Sequence, residues 1–149
     1  MQVAILLPLT VGIVTVLCTI VVHGLALGAT VNFVRRERRL GHFGASYGSD
    51  LVIVVVAILL IFGAHLIEIA IWAMVFIQCG EFPAFGLAFD HSAVNYTTVG
   101  NDNVIMTPRW RLLGSLEAAD GMLMFGITTA MIFALIQWLI RVRFPDLRD

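Results

Sequence analysis

Three long apolar runs constrain this chain more than any other feature of its sequence. They cover residues 3–34, 51–79 and 112–140. Each exceeds the roughly 20 residues that a helix needs to cross the hydrocarbon core of a bilayer. A helix pairs its backbone polar groups within the segment, as lipid requires. The sequence therefore predicts an all-α membrane protein with three transmembrane helices.

The composition agrees with this fold class. Of the 149 residues, 60% are hydrophobic and only 13% are charged, so the chain has more apolar surface than a soluble domain of this length can bury. All nine basic residues are Arg and the net charge is −1, which provides no extended basic face for nucleic acid. The two cysteines, Cys18 and Cys79, lie in no metal-binding or redox motif. We expect a lipid bilayer around the chain and no nucleic-acid partner.

The distribution of Arg predicts the orientation of the spans. Five residues with the sequence RRERR, at 35–39, follow the first run, and three further Arg lie in the tail 141–149. The segment 80–107, in contrast, contains no Arg or Lys. Because basic residues concentrate on the cytoplasmic side of a membrane, we expect the N-terminus outside and both the 35–50 loop and the C-terminus inside.

A shorter apolar segment lies between the second and third spans. Residues 83–96 are too few to cross a bilayer and are typical of a re-entrant half-helix, with Pro83 in its first turn. The polar stretch 97–103 follows, and Thr107 is the predicted N-cap of a third long helix over 108–140. Irregular backbone at membrane depth survives only where protein buries it or where it lines a water-filled cavity. The sequence therefore predicts a pore loop.

Residues 51–140 resemble the pore module of the tetrameric potassium channel superfamily. The likeness depends on the sequence SAVNYTTVG at 92–100, followed by TPRWRLLGSLEAADG at 107–121, which opens a glycine-bearing helix. It implies an outer helix at 51–79, a pore helix at 83–96, a filter at 97–103 and an inner helix at 108–140. The first helix at 1–34 and the loop at 35–50 lie outside this module.

The resemblance also implies an assembly, a location and an activity. We expect a homotetramer in a bacterial cytoplasmic membrane that acts as a cation channel and has no enzymatic activity. No cofactor is expected, and the implied ligands are the permeant cations K⁺ and Na⁺, with Ca²⁺ as a further candidate.

By this resemblance, four copies of the loop turn oxygen atoms toward one axis and replace the water shell of an ion. The implied ion-binding residues are Thr97, Thr98, Val99, Gly100, Asn101 and Asp102, with Asn103 at the outer mouth. Gly100 suits a filter because successive carbonyls face one side only when some residues adopt a positive φ. The C-terminal end of the pore helix favours a cation through its dipole.

The filter departs from the family pattern after its first glycine. Asn101, Asp102 and Asn103 stand where selective relatives have tyrosine, glycine and aspartate, and Asp90 and His91 stand where an aromatic pair braces the filter. We expect weak selectivity between Na⁺ and K⁺, with divalent cations blocking or permeating at a ring of Asp102 carboxylates. Two alternatives stay open, namely a non-conducting pore-like subunit or sensor and a K⁺-selective channel despite the altered filter.

Several polar and glycine residues inside the spans are candidates for supporting roles. His65 and Glu68 lie three residues apart in the second span, where ionisable groups are costly. Glu68 is expected to face the pore helix or a neighbouring span, and this pair alone offers too few ligands for a metal. Glu117 is expected to brace the filter from behind. Gly121 and Gly126 are candidate gating hinges, although close helix packing explains them almost as well.

Three more polar residues of the third span have predicted positions. Asp120 is expected either to brace the filter, as Glu117 does, or to face the conduit. Thr128 and Thr129 are expected near the aqueous cavity of the channel.

Overall fold

The computed structural model describes residues 3–100 and 106–144, and all regular structure in these ranges is helical. The four helices are α1 (Val3–Arg39), α2 (Tyr47–Gln78), α3 (Phe85–Tyr96) and α4 (Arg111–Arg143). Three of them, α1, α2 and α4, are long and apolar enough to cross a membrane, whereas α3 has only 12 residues. The predicted all-α membrane fold, with three spans and one short helix, is confirmed.

The end of α1 differs from the prediction. The helix continues to Arg39, so the Arg-rich segment forms its last turns and the connection to α2 is only 40–46. Arg and Glu are good helix formers, and they extend the helix after its apolar pattern stops. Gly41, at φ 76°, then ends it in the left-handed conformation that glycine adopts without strain. The predicted boundaries 1–34 and 35–50 are therefore corrected.

The start of α2 also moves, because its cap lies before the apolar run. Ser46 is the N-cap, and its hydroxyl accepts a hydrogen bond from the Ser49 backbone N–H at 3.1 Å. The Ser49 hydroxyl contacts the Ser46 backbone N–H in return, also at 3.1 Å. This reciprocal pair is a capping box with serine in place of the usual Glu or Gln. The outer helix consequently begins at Tyr47 and ends at Gln78, whereas 51–79 was predicted.

Both helices of the pore region begin later than the sequence predicts. The N-cap of α3 is Ala84, so Pro83 precedes the helix and does not lie in its first turn. Before α4, the Thr107 carbonyl accepts backbone hydrogen bonds from Trp110 and Arg111, both at 3.0 Å. Thr107 thus begins a turn and does not cap α4. The bounds become Phe85–Tyr96 for the short helix and Arg111–Arg143 for the inner helix, which takes the first residues of the predicted tail.

The helices form one bundle in which α1 packs on α2 and α4, and α3 is inserted between α2 and α4. The main apolar core lies around α3 and contains Trp72, Phe76, Tyr96, Leu113 and Met124. A second core near the Arg-rich end contains Val34, Ile53, Ala57 and Leu135. Large apolar side chains on the outer faces of the three long helices remain exposed, as expected for surfaces that lipid covers.

The two Arg-rich segments lie at the same end of the bundle. Arg143, at the end of α4, donates to the Asp50 carboxylate in the first turn of α2 at 2.8 Å, and its guanidinium lies 3.7 Å from the Tyr47 ring centre. At the other end, the Thr107 backbone N–H donates to the Glu81 carboxylate at 2.8 Å. This arrangement agrees with the predicted placement of the basic residues on one side of a membrane.

Candidate functional site

The site begins where α3 stops. Thr97 is the C-cap of α3, and both its backbone N–H, at 3.1 Å, and its hydroxyl, at 2.7 Å, donate to the Ala93 carbonyl. The Thr97 side chain is therefore engaged with the last turn of the helix. It fixes the point at which the chain leaves the helical path.

Beyond Thr97 the backbone adopts positive φ twice, at Thr98 (62°) and at Gly100 (75°). The value at Gly100 agrees with the sequence prediction, whereas that at Thr98 was not expected. A positive φ at a β-branched residue is strained and is retained only where the surrounding structure imposes it. The Val99 and Gly100 backbone N–H groups donate to the Val94 carbonyl at 3.1 Å and 3.3 Å, so Thr98 lies at the left-handed cap that ends α3.

Residues 97–100 are all exposed in the single chain, and the Val99 side chain is 78% exposed. The predicted continuation of the filter, Asn101 to Asn103, lies outside the described residues. Residues 97–100, which follow the short helix α3, are therefore accessible on the surface of the single chain.

The end of α3 lies deep in the bundle. The Tyr96 hydroxyl donates a hydrogen bond to the Glu68 carboxylate, and Glu68 precedes the last residue of α2, Gln78, by ten positions. At 1.5 Å per residue, this places the contact about 15 Å below the end of α2. Glu68 is fully buried and faces the short helix, which is one of the two positions expected from the sequence. Residues 97–100 therefore start at membrane depth.

Gly121 of α4 makes the closest backbone approach to this segment. A Cβ atom at residue 121 would lie 2.0 Å from the Tyr96 carbonyl oxygen, a separation that real atoms do not show. Close packing therefore explains Gly121, and the hinge interpretation is not needed there. At Gly126, in contrast, an added Cβ atom would meet nothing within 4 Å, so this residue retains the hinge prediction.

Glu117 supports α3 from the side of α4. Its side chain is fully buried, and one carboxylate oxygen accepts a hydrogen bond from the Ser92 hydroxyl. The same hydroxyl lies 2.8 Å from the Ile69 carbonyl of α2. Glu117 thus links α4 to the short helix, and its bracing of the filter stays a prediction.

Asp120 is turned toward α1 and α2. One of its carboxylate oxygens accepts hydrogen bonds from the Thr19 hydroxyl at 2.8 Å and from the Trp72 indole N–H at 2.9 Å. Asp120 is almost fully buried, so it joins three helices and does not occupy the predicted position facing a conduit.

His91 fills an aromatic pocket on the outer side of α3. Its ring centre lies 4.8 Å from that of Phe82 and 5.5 Å from that of Phe76, and its Nε2 is 2.9 Å from the Asn95 amide nitrogen. Phe76 of α2 and Phe82 of the loop after it thus pack on His91, one of the two positions at which the resemblance places an aromatic pair. These two phenylalanines were not identified from the sequence.

The structure brings a third ionisable residue to the predicted His65 and Glu68 pair. His23 of α1 lies 3.0 Å from Glu68, measured from Nδ1 to Oε1. Thr128 of α4 also points at this cluster, with its hydroxyl 3.0 Å from His65 Nε2, and it is half-buried in the single chain, so its position near an aqueous cavity stays a prediction. Thr129 is exposed, and its hydroxyl donates to the Phe125 carbonyl at 2.8 Å.

Sequence reasoning missed the contribution of α1 to this cluster. The buried face of α1 contains the polar residues Thr15, Thr19, His23 and Thr30, whereas most of its large apolar side chains, such as Leu25, point outward. The first three of these residues recur every four positions, which places them on one helix face. That spacing was the available signal. In membranes, hydrogen bonds and small side chains hold helices together, so a polar stripe marks the packed face.

Comparison of the sequence with known protein families gives a match to one part of the chain. Residues 64–137 match a family model described as "ion channel", and this segment contains the second half of α2, all of α3, the segment after it and most of α4. No curated protein and no solved structure matches the chain. The first helix lies outside the match. The match covers 74 of the 149 residues and is consistent with the potassium channel superfamily, and the three long apolar helices make the chain an integral membrane protein.

Proposed function

We propose that four copies of this chain assemble around one axis into a cation channel with weak selectivity between Na⁺ and K⁺. The observation that carries the proposal is the exposure of residues 97–100 at membrane depth. Lipid cannot satisfy the polar groups of an irregular backbone, so neighbouring chains and water must surround this segment.

Four-fold assembly follows from the geometry of ion coordination. One loop supplies only a quarter of a cage of carbonyl oxygens, and symmetry-related copies complete it. The Thr98 hydroxyl and the carbonyls of Thr98, Val99 and Gly100 are the proposed inner ligands of a dehydrated monovalent cation. The positive φ values at Thr98 and Gly100 support this role, since they end the helical path of α3 at the base of the proposed filter.

The proposed weak selectivity depends on the residues after Gly100. Asn101 and Asp102 stand where selective relatives have tyrosine and glycine, so the outer carbonyl rings of a selective filter are not expected to form. A ring of four Asp102 carboxylates attracts cations and suits Ca²⁺, which takes 6–8 oxygen ligands. We therefore propose that external Ca²⁺ blocks the pore or permeates it slowly.

The orientation that we propose follows the Arg residues. Both Arg-rich segments lie at the end of the bundle where Arg143 contacts Asp50, and we assign this end to the cytoplasm. The mouth of the filter and the Glu81–Thr107 contact then face the exterior. The membrane is proposed to be a bacterial cytoplasmic membrane.

Ion flux through purified protein in liposomes tests this function. The parent protein should pass Na⁺ and K⁺ at similar rates, and external Ca²⁺ should reduce both. Asp102→Asn should weaken the Ca²⁺ effect without producing strong K⁺ preference, because it removes the proposed carboxylate ring but leaves the inner oxygen ligands. Unchanged Ca²⁺ block would place Asp102 away from the axis. The absence of flux from well-folded tetramers would favour a non-conducting subunit.

Native mass spectrometry tests the assembly separately. The proposal predicts a complex of four chains after release from membranes in a mild detergent. A stable monomer or dimer under the same conditions would contradict it.

A further inference from the structure

Two imidazoles and a carboxylate meet inside the bundle, away from the filter. His23 of α1 and both His65 and Glu68 of α2 place donor atoms that all lie within 4.8 Å of one another. His23 Nδ1 is 3.0 Å from Glu68 Oε1, and His65 Nδ1 is 3.3 Å from Glu68 Oε2. The three residues are buried, with an exposed fraction of 1% for His23, 6% for His65 and 0% for Glu68.

The hydroxyl of Thr128 orients both imidazoles. It lies 3.0 Å from His65 Nε2 and 3.3 Å from His23 Nε2. A hydroxyl oxygen has two lone pairs and accepts from two donors, so both rings can carry their proton on Nε2. In that tautomer both Nδ1 lone pairs point toward the Glu68 carboxylate. Lone pairs on nitrogen and oxygen repel at such distances unless a cation lies between them.

The distances suit a small metal ion. A tetrahedral site with metal–ligand distances of 2.0–2.1 Å has neighbouring ligand atoms about 3.3 Å apart. The two nitrogen–oxygen separations at Glu68, 3.0 Å and 3.3 Å, are close to this value. The Tyr96 hydroxyl lies 3.0 Å from His65 Nδ1 and borders the same space, so its oxygen offers a fourth ligand.

We propose that His23, His65 and Glu68 form an intramembrane binding site for a first-row transition-metal dication such as Zn²⁺. Two imidazoles with one carboxylate are a donor set that zinc uses in proteins, and imidazole also suits the neighbouring metals of the series. Thr128 holds the ligands in place, as partners of the second ring nitrogen do at metal-binding histidines. The carboxylate offsets part of the metal charge, which matters in a site that water does not reach.

This site connects the first helix to the pore module. His23 is the ligand that α1 contributes, and Tyr96, which borders the site, is the last residue of α3. Metal binding therefore fixes α1 against α2 next to the point where residues 97–100 begin. The proposed metal site goes beyond the proposed channel activity and does not depend on that activity, because a metal can bind here whether or not the pore conducts.

Metal binding by the purified full-length protein tests the site. The protein is stripped with a chelator in detergent, titrated with Zn²⁺, washed and assayed for zinc by elemental mass spectrometry. We expect one Zn²⁺ per chain for the parent, and at least a tenfold loss of affinity for His23→Gln and for Glu68→Gln. His42→Gln is the matched control, because His42 also contacts a glutamate, Glu37, at 2.8 Å but lies in the exposed connection between α1 and α2.

Two further measurements separate metal binding from folding. Thr128→Val keeps all three ligands and should lower Zn²⁺ affinity about 10–100-fold. Co²⁺ bound to the parent should give the intense visible absorption of a four-coordinate nitrogen and oxygen site, which requires no variant to fold. A parent that binds no metal, or that binds it equally well as His23→Gln, would overturn the proposal. The cluster would then be held by protons shared along the same contacts.

Discussion

Gly121 of α4 lies directly against the main-chain carbonyl of Tyr96, and a Cβ atom at residue 121 would be 2.0 Å from that oxygen. This contact ties the inner helix to the last residue before the proposed filter. Because the neighbouring atom is backbone at the end of α3, it cannot move aside as the tip of a flexible side chain can. The position of the filter therefore depends on the absence of a side chain at Gly121.

Gly121→Ala should displace the end of α3 and destabilise the assembled protein. Overpacking of this kind costs about 1–3 kcal/mol or more. Gly126→Ala is the matched control, because its Cβ would meet nothing within 4 Å and alanine raises helix propensity by about 1 kcal/mol. Thermal unfolding in detergent measures the stability of both variants. A Gly121→Ala protein as stable as Gly126→Ala would contradict the packing role.

Glu117→Ala should destabilise the protein by about 1–3 kcal/mol, because it removes the buried hydrogen bond that links α4 to Ser92, although the Ser92 hydroxyl can still donate to the Ile69 carbonyl. Glu117→Gln keeps an acceptor oxygen and should cost less. The double variant Glu117→Ala with Ser92→Ala should lose less stability than the sum of its two single variants, since the residues are in contact. Additive losses in thermal unfolding would show that the contact contributes nothing.

The three spans could be predicted because apolar runs of this length have few other solutions. Their ends could not be predicted as well. The capping box at Ser46 uses a second serine, Ser49, in place of the expected Glu or Gln, so α2 starts before its apolar run. The Arg-rich end of α1 was placed in a loop for its charge, but Arg and Glu continue a helix readily.

Those features of the candidate site that are local in the sequence could be predicted, whereas the contacts between its helices could not. The sequence TTVG and the glycine at position 100 indicated the filter, since both are local features. His23 is 45 residues from its partner Glu68, and no local periodicity connects them. Similarly, nothing local distinguishes Gly121, packed on a carbonyl, from Gly126, which has open space. Tertiary packing alone decides between a packed glycine and a candidate hinge.

Cysteine accessibility should report the orientation of the chain. Ala45 lies in the exposed connection between α1 and α2 and avoids the capping Ser46, whereas Phe85 is exposed at the start of α3. With Cys18 and Cys79 replaced by alanine, an impermeant thiol reagent should label Phe85→Cys in intact cells. It should label Ala45→Cys only after permeabilisation, because Arg residues keep that end inside. The reverse pattern would overturn the orientation.

The native Cys79 should react slowly with thiol reagents near neutral pH. Burial, together with the negative charge of Glu81, raises the pKa of the Cys79 thiol, so less of the reactive thiolate is present at pH 7. In a Cys18→Ala background, the labelling rate should therefore still rise with pH above the range where an ordinary cysteine levels off. Glu81→Gln should shift the pH at which the labelling rate levels off down toward that of an ordinary cysteine, because it removes the negative charge beside the thiol. A rate that levels off as for free cysteine would contradict the shift.

The bi-ionic reversal potential of the purified protein in a planar bilayer tests the central claim most directly. With equal concentrations of KCl on one side and NaCl on the other, a weakly selective cation pore formed by residues 97–102 should reverse close to zero voltage. Gly100→Ala, which places a side chain at a positive φ of 75°, should abolish or strongly reduce the current. A reversal potential displaced far toward K⁺ equilibrium would show a selective filter, and currents unaltered by Gly100→Ala would show that ions do not pass through this segment.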